Sequence, residues 1–168
     1  MMNFMIESII VCIGFSALIV LPMLKNPLVQ IQSYPPAIGN RAIELGLVEK
    51  DRARKSKKTV IIKSIASLFF VVILTVVVYF VNGARTFLAG FGISYLLWMV
   101  VNWYDALVLD CLLFCHCKRF VLPGTEDMVK EYHDYWFHIK GSMIGMMIGL
   151  PVCLLTGACT ILFTYLFG

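Results

Sequence analysis

The sequence predicts an all-α, polytopic membrane protein: a single domain of four transmembrane helices with interfacial helices on the cytoplasmic side. Three observations carry that expectation. Of 168 residues, 60% are hydrophobic and 14% are charged, against roughly 25% charged in soluble domains. The apolar residues gather into four runs, at 4–24, 60–81, 87–114 and 141–167, each reaching the roughly 20 residues that a helical span requires. The Lys and Arg residues crowd into the two long connections, 25–59 and 115–140. A soluble fold of this length could not bury so much apolar side chain, whereas a helix in lipid satisfies its own backbone polar groups.

The first run is interrupted only by Glu7, near its start. No Lys or Arg precedes it and no small-residue cleavage pattern follows it, so a retained span is expected rather than a cleaved leader. The connection after it contains Pro27 and the pair Pro35-Pro36, which predict an extended entry. Beyond them Ile38, Ala42, Leu45 and Val48 recur at helical spacing, in an amphipathic segment weakened by Gly39 and Gly46. A basic run follows, in which Asp51 is the lone acid of residues 50–58. One reading is a topology determinant with no ligand. The other is docking of anionic lipid headgroups by Arg52, Arg54, Lys55, Lys57 and Lys58, worth about 1 kcal/mol per basic residue. Nucleic acid is not an expected partner, because the net charge is only +4 and no aromatic residue interleaves the basic run.

In the second run Lys63 lies near enough to the end to snorkel. The turn 82–86 carries only Arg85. Under the positive-inside rule both long connections face the cytoplasm and both termini lie outside.

The third run carries the most informative residue. Asp105 lies within it, and a carboxylate at the centre of a span costs about 2.5–3.5 kcal/mol to insert. Tyr95, Trp98, Asn102 and Asp105 share one helical stripe. At 100° per residue Asp110 is rotated from Asp105 by about 140°, so the two acids are expected not to form a dyad. Two readings of Asp105 stay open. It is the floor of a polar pocket facing the cytoplasm, as a cation ligand or proton carrier. Or it is interhelical glue, bonded to Asn102, Tyr104 or a neighbouring helix, worth about 0.6 kcal/mol on average. Cys111, Cys115, His116 and Cys117 follow directly. Their spacing lacks the paired pattern of zinc sites. Small thiols at a helix end in a reducing cytosol explain them, with acylation as an alternative.

In the second connection Pro123-Gly124 predicts a turn and Thr125 a helix cap. On the helix so begun, Asp127, Glu131, Asp134 and His138 fall on one face. Met128, Tyr132, Tyr135, Trp136 and Ile139 fall on the other, the pattern of a helix at headgroup level. Stacked carboxylates repel by roughly 0.2–0.5 kcal/mol per close pair; salt bridges, with Lys130 or the basic run 50–58, or plain solvation offset that, with a bound metal, a headgroup or a partner as alternatives. The fourth run is free of charge. Its Gly141, Gly145 and Gly149 form a glycine zipper, where another helix backbone can approach closely. The partner is either a helix of this chain or a second copy, giving a homo-oligomer. Pro151 predicts a kink.

No phosphate-binding glycine loop, Gly-x-Ser-x-Gly elbow or His-Glu-x-x-His pattern is present. The expectation is a small integral membrane protein with a cytoplasm-facing polar site. Asn102, Asp105 and Asp110, with Asp127, Glu131, Asp134 and His138, would bind a cation or a polar lipid headgroup. One alternative is a structural or assembly protein packed through the glycine stripe. Another is a lipid-modifying enzyme using the same carboxylates and His138 as acid, base or metal ligands. Membrane lipids are the expected partners, and no particular cofactor or metal is implied.

Overall fold

The computed structural model describes residues 2–49 and 57–168, apart from the side chains of residues 2, 3, 57–64 and 66. Every regular element among the described residues is helical, and none is a strand.

The first apolar run forms α1 (Met2–Lys25). Pro22 lies near its end, and the Asn26 amide still closes on the Pro22 carbonyl at 2.9 Å. The side chain of Asn26 then accepts from Leu28 N at 3.0 Å and starts a short 3-10 segment, Pro27–Ser33. Tyr34 and Pro35 are extended, with ψ of 151° and 145°, as residues preceding proline must be. Helix α2 (Pro36–Glu44) follows. Gly46 ends it with φ at +69°, its amide on Ile43 O and the Leu47 amide on Ala42 O. That Schellman closure needs a residue tolerant of the left-handed region. Gly46 therefore stops the helix cleanly rather than merely weakening it.

Helix α3 (Lys57–Val76) runs on into a π-helical turn, Val77–Val81. Gly83, at φ +68°, reverses the chain. The Thr86 hydroxyl accepts from Ala89 N at 3.2 Å and caps α4 (Phe87–Tyr104), which continues as a π-helix over Asp105–Phe114. A 3-10 turn (Lys118–Phe120), a one-turn helix α5 (Val129–Tyr132) and the long α6 (Tyr135–Phe167) complete the chain. Three helical segments are long and apolar enough to cross a membrane: Phe4–Lys25, Phe87–Phe114 and Val129–Phe167. Helix α3 contributes the shorter apolar stretch Ser67–Val81. Large side chains such as Ile13, Leu18, Phe69, Leu96 and Ile148 point outward from these helices. The chain is thus an all-helical membrane protein.

Helix α6 is the organising element, packed chiefly on α4 and also on α3. Its buried row includes Ser142, Gly149, Cys153, Thr156, Gly157 and Thr160. Small residues let the two backbones approach, which replaces the hydrophobic drive that lipid does not supply. Gly90 lies against Thr160, and Gly157 against Phe87. Val71 and Leu74 of α3 close a small cluster with Val152 and Trp98.

The two ends of the packed helices differ. At one end Asn82 donates to Glu7 Oε2 at 3.0 Å, and the Thr164 hydroxyl donates to Arg85 O at 3.2 Å. The beginning of α1, the end of α6 and the short turn therefore share that end. At the other end the two long connections build a common apolar core from Met23, Ile31, Tyr34, Ile38, Ala42, Val48, Phe120, Leu122 and Tyr132. Ile38, Ala42 and Val48 enter it as their spacing predicts, while Leu45 remains 42% exposed and lies against Gly124.

The second connection departs from expectation. Thr125 caps no helix. It is fully buried, donates to Leu122 O at 2.8 Å and accepts from the Tyr132 hydroxyl at 2.7 Å. That hydroxyl also accepts from Leu122 N at 2.9 Å. One straight helix would hold Tyr132 on the same side as Trp136. Instead Tyr132 is 6% exposed inside the core and Trp136 is 57% exposed. The chain breaks at His133 and Asp134 to allow this, and the Asp134 carboxylate restarts it by accepting from Phe137 N at 3.1 Å. The single acidic face through Asp127, Glu131, Asp134 and His138 is accordingly not formed.

Candidate functional site

The π-helical continuation of α4 decides the geometry of the two acids. Over Asp105–Phe114 the backbone bonds reach back five residues, as from Cys115 N to Asp110 O at 3.0 Å. The wider turn of such a helix brings positions five apart toward the same side. Asp110 therefore sits one turn beyond Asp105 on the same side, and the 140° separation expected from α-helical geometry does not apply. Asp105 lies within electrostatic reach of both Asp110 and His138.

His138 comes from the second turn of α6, whose start is fixed by the Asp134 cap. Its Nδ1 lies 3.0 Å from Asp110 Oδ2, with the side chains 6% and 18% exposed. The edge of the Phe137 ring covers the imidazole at a centroid distance of 5.2 Å. Asp105, by contrast, has no hydrogen-bond partner among the described residues. The site is two half-buried carboxylates and one buried imidazole, with only one of the carboxylates paired.

Asn102 does not join this group. Its amide donates to Ser142 O at 3.0 Å and to the Ser142 hydroxyl at 2.6 Å. One turn earlier, Trp98 Nε1 donates to Gly145 O at 3.0 Å. The Asn102 side chain and the Trp98 ring fill the space that Cβ atoms would take at Gly145 and Gly149, while Gly141 faces open space. Tyr104 meets the Ser16 hydroxyl of α1 at 2.8 Å. The interhelical bonding foreseen for Asp105 is thus made by its neighbours Trp98, Asn102 and Tyr104.

Of the other predicted site residues, Asp127 is exposed and Glu131 half-buried. Neither forms an ion pair among the described residues. Arg52, Arg54 and Lys55 lie outside the described residues, as do the side chains of Lys57 and Lys58.

Two groups escaped sequence reasoning. The first is an exposed aromatic cluster in which Tyr135 OH and His116 Nε2 are 3.0 Å apart and the His116 and His133 rings are 4.9 Å apart. Nothing in the spacing of these residues announces it. The second is a cavity of ≈ 20 Å³ bounded by Met23, Ser33, Tyr34, Phe114, Cys115, Tyr132 and His138, large enough for about one water. Burial pushes the Cys115 thiol up to about 12, with Cys111, Asp110 and Asp134 adding to the shift. Burial, and then the neighbouring Tyr132, likewise pushes the Tyr34 hydroxyl well above its ordinary value; that hydroxyl donates to Phe120 O at 2.8 Å. Both groups are neutral at physiological pH. Among the described residues no three His, Cys, Asp or Glu side chains are placed to hold a metal ion, and all six cysteines are free.

Comparison with known proteins finds no matching family model, no matching curated protein and no matching solved structure. What defines the class is therefore the chain itself: an all-helical membrane protein carrying an acid–acid–histidine group where its third apolar run meets the second connection.

Proposed function

We propose that the chain is a four-span integral membrane protein of the cell membrane, with both connections cytoplasmic and both termini outside, whose Asp105–Asp110–His138 group binds a small monovalent cation or a proton from the cytoplasmic side. The observation that carries this is the unpaired Asp105 carboxylate, held beside an already paired carboxylate. A half-buried acid with no donor is costly, and one bound positive charge offsets that cost. An alkali cation or a proton is the favoured occupant, because a divalent metal would call for three or more ligands. The fourth crossing is α3, supported by its continuous helix from 57 to 81. The orientation is supported by the Lys and Arg excess in the connections.

The purified protein in detergent tests this, melted in choline chloride, then in sodium or potassium chloride, then at lower pH. An alkali cation well above its Kd, or acid, is expected to raise Tm by about 3 °C or more. Asp105→Asn is expected to melt higher than the wild type in choline and to respond to neither. An unchanged response in that variant defeats the reading.

A structural role through helix packing is the second reading, favoured by the Asn102–Ser142 and Trp98–Gly145 bonds. Under it, Asp105→Asn leaves every condition unchanged.

A further inference from the structure

An open groove of ≈ 550 Å³ runs between α1 and the π-helical end of α4. Ala17, Val20 and Leu21 line one wall, and Val108, Leu109 and Leu112 the other. Its inner end is closed by Ser16 and Tyr104. Ser16 donates to Cys12 O at 2.7 Å and so accepts from the Tyr104 hydroxyl at 2.8 Å. Both hydroxyl protons are thereby spent inside the protein, and the groove offers a ligand only hydrocarbon contact.

The outer end is different. One turn beyond Leu21, α1 ends at Lys25, and the Leu24 carbonyl there accepts from Arg119 Nη2 at 3.2 Å. Arg119 is thereby held at the mouth with the remainder of its five donors available. Lys25 and Arg119 are exposed, and neither pairs with a carboxylate among the described residues. From Ser16 to Lys25 the helix rises about 14 Å at 1.5 Å per residue. The apolar slot, lined along α1 from Ser16 to Leu21, points toward two cations about one helical turn beyond it, and this matches an amphiphile with a hydrocarbon chain inside and an anion outside.

We propose that this groove seats one acyl chain of an anionic phospholipid, with the phosphate held by Lys25 and Arg119. The chain fills the α1–α4 groove because both walls belong to segments apolar enough to lie in the bilayer. The charge at the mouth selects anionic over zwitterionic headgroups. The site is separate from the carboxylate group, so its failure leaves the cation reading standing.

The full-length protein in detergent, titrated with phosphatidylglycerol or phosphatidylcholine and read by native mass spectrometry, tests the assignment. One phosphatidylglycerol is expected to bind ahead of phosphatidylcholine. Lys25→Gln and Arg119→Gln are each expected to cut that preference about fivefold, and Arg119→Lys to keep most of it. Ala17→Phe, which fills the groove, is expected to weaken both lipids. Equal binding of the two lipids, a preference that survives the paired charge substitutions, or displacement by chain-free glycerol phosphate overturns the proposal.

Discussion

His138 is held by Asp110 on one side and the Phe137 ring on the other, with little solvent to replace either. Removing one partner of such a pair leaves the other desolvated and alone, the expensive way to break it. His138→Ala is therefore expected to lose about 2–3 kcal/mol in denaturant unfolding from detergent. The double variant Asp110→Asn/His138→Ala is expected to lose less than the two single losses combined, because the stranded charge is gone. Asp105 and Asp110 stood out in the sequence as acids in an apolar run. Their placement on one side of the helix did not, because any periodicity argument assumes 100° per residue. The wider π-helical turn has no mark in composition, and packing of α4 against α6 accompanies it.

At the scale of the element, the interface between α4 and α6 tolerates no added atom at some positions and is indifferent at others. A Cβ at Gly149 would meet the Trp98 ring, whereas one at Gly141 meets nothing within 4 Å. Gly149→Ala is expected to cost about 1–3 kcal/mol, with a shift in tryptophan emission as the indole leaves the Gly145 carbonyl. Gly141→Ala is expected to be neutral or to stabilise by up to about 1 kcal/mol, as alanine for glycine does in an exposed helix. A clear loss in Gly141→Ala would instead show a second copy covering that face. The four-residue glycine spacing was plain in the sequence, but what meets it was not: the Asn102 side chain and the Trp98 ring, rather than another backbone, occupy the space at Gly145 and Gly149. Gly141 falls outside that contact because each four-residue step advances about 40° past a full turn, so two steps from Gly149 rotate it away. The acidic stripe was misread for a different reason. The pull of Tyr132 into the core beside Tyr34, a contact between distant parts of the chain, outweighs the local pattern that would keep residues 127–138 in one helix.

For the whole molecule, the Glu7–Asn82 and Thr164–Arg85 bonds put both ends of the described chain with the short turn. The proposed topology follows if α3 crosses along with the three segments that are long and apolar enough to do so. Alkaline phosphatase fused after Gly83 or Gly168 is expected to be active in a bacterial host, and green fluorescent protein fused after Gly124 to be bright. Inactive phosphatase at Gly83 rules out the arrangement. The apolar runs and their helical state were legible because lipid imposes length and composition so strongly. The shared core of the two connections was only half legible. The amphipathic face of Ile38, Ala42 and Val48 was plain, but its cover, Phe120, Leu122 and Tyr132, lies some eighty residues away along the chain.

That separation has a consequence for how the protein is made. A ribosome delivers Met23, Ile31 and Ile38 long before Phe120 and Tyr132 exist. The first connection therefore waits with an uncovered apolar face until α4 has been inserted and the second connection has emerged. The knot of side chains that ties α1 to α4 closes late. Under the proposed topology, a nascent chain that misplaces α3 or α4 carries Phe120, Leu122 and Tyr132 across the membrane from Tyr34 and Ile38, and the apolar face of the first connection stays uncovered.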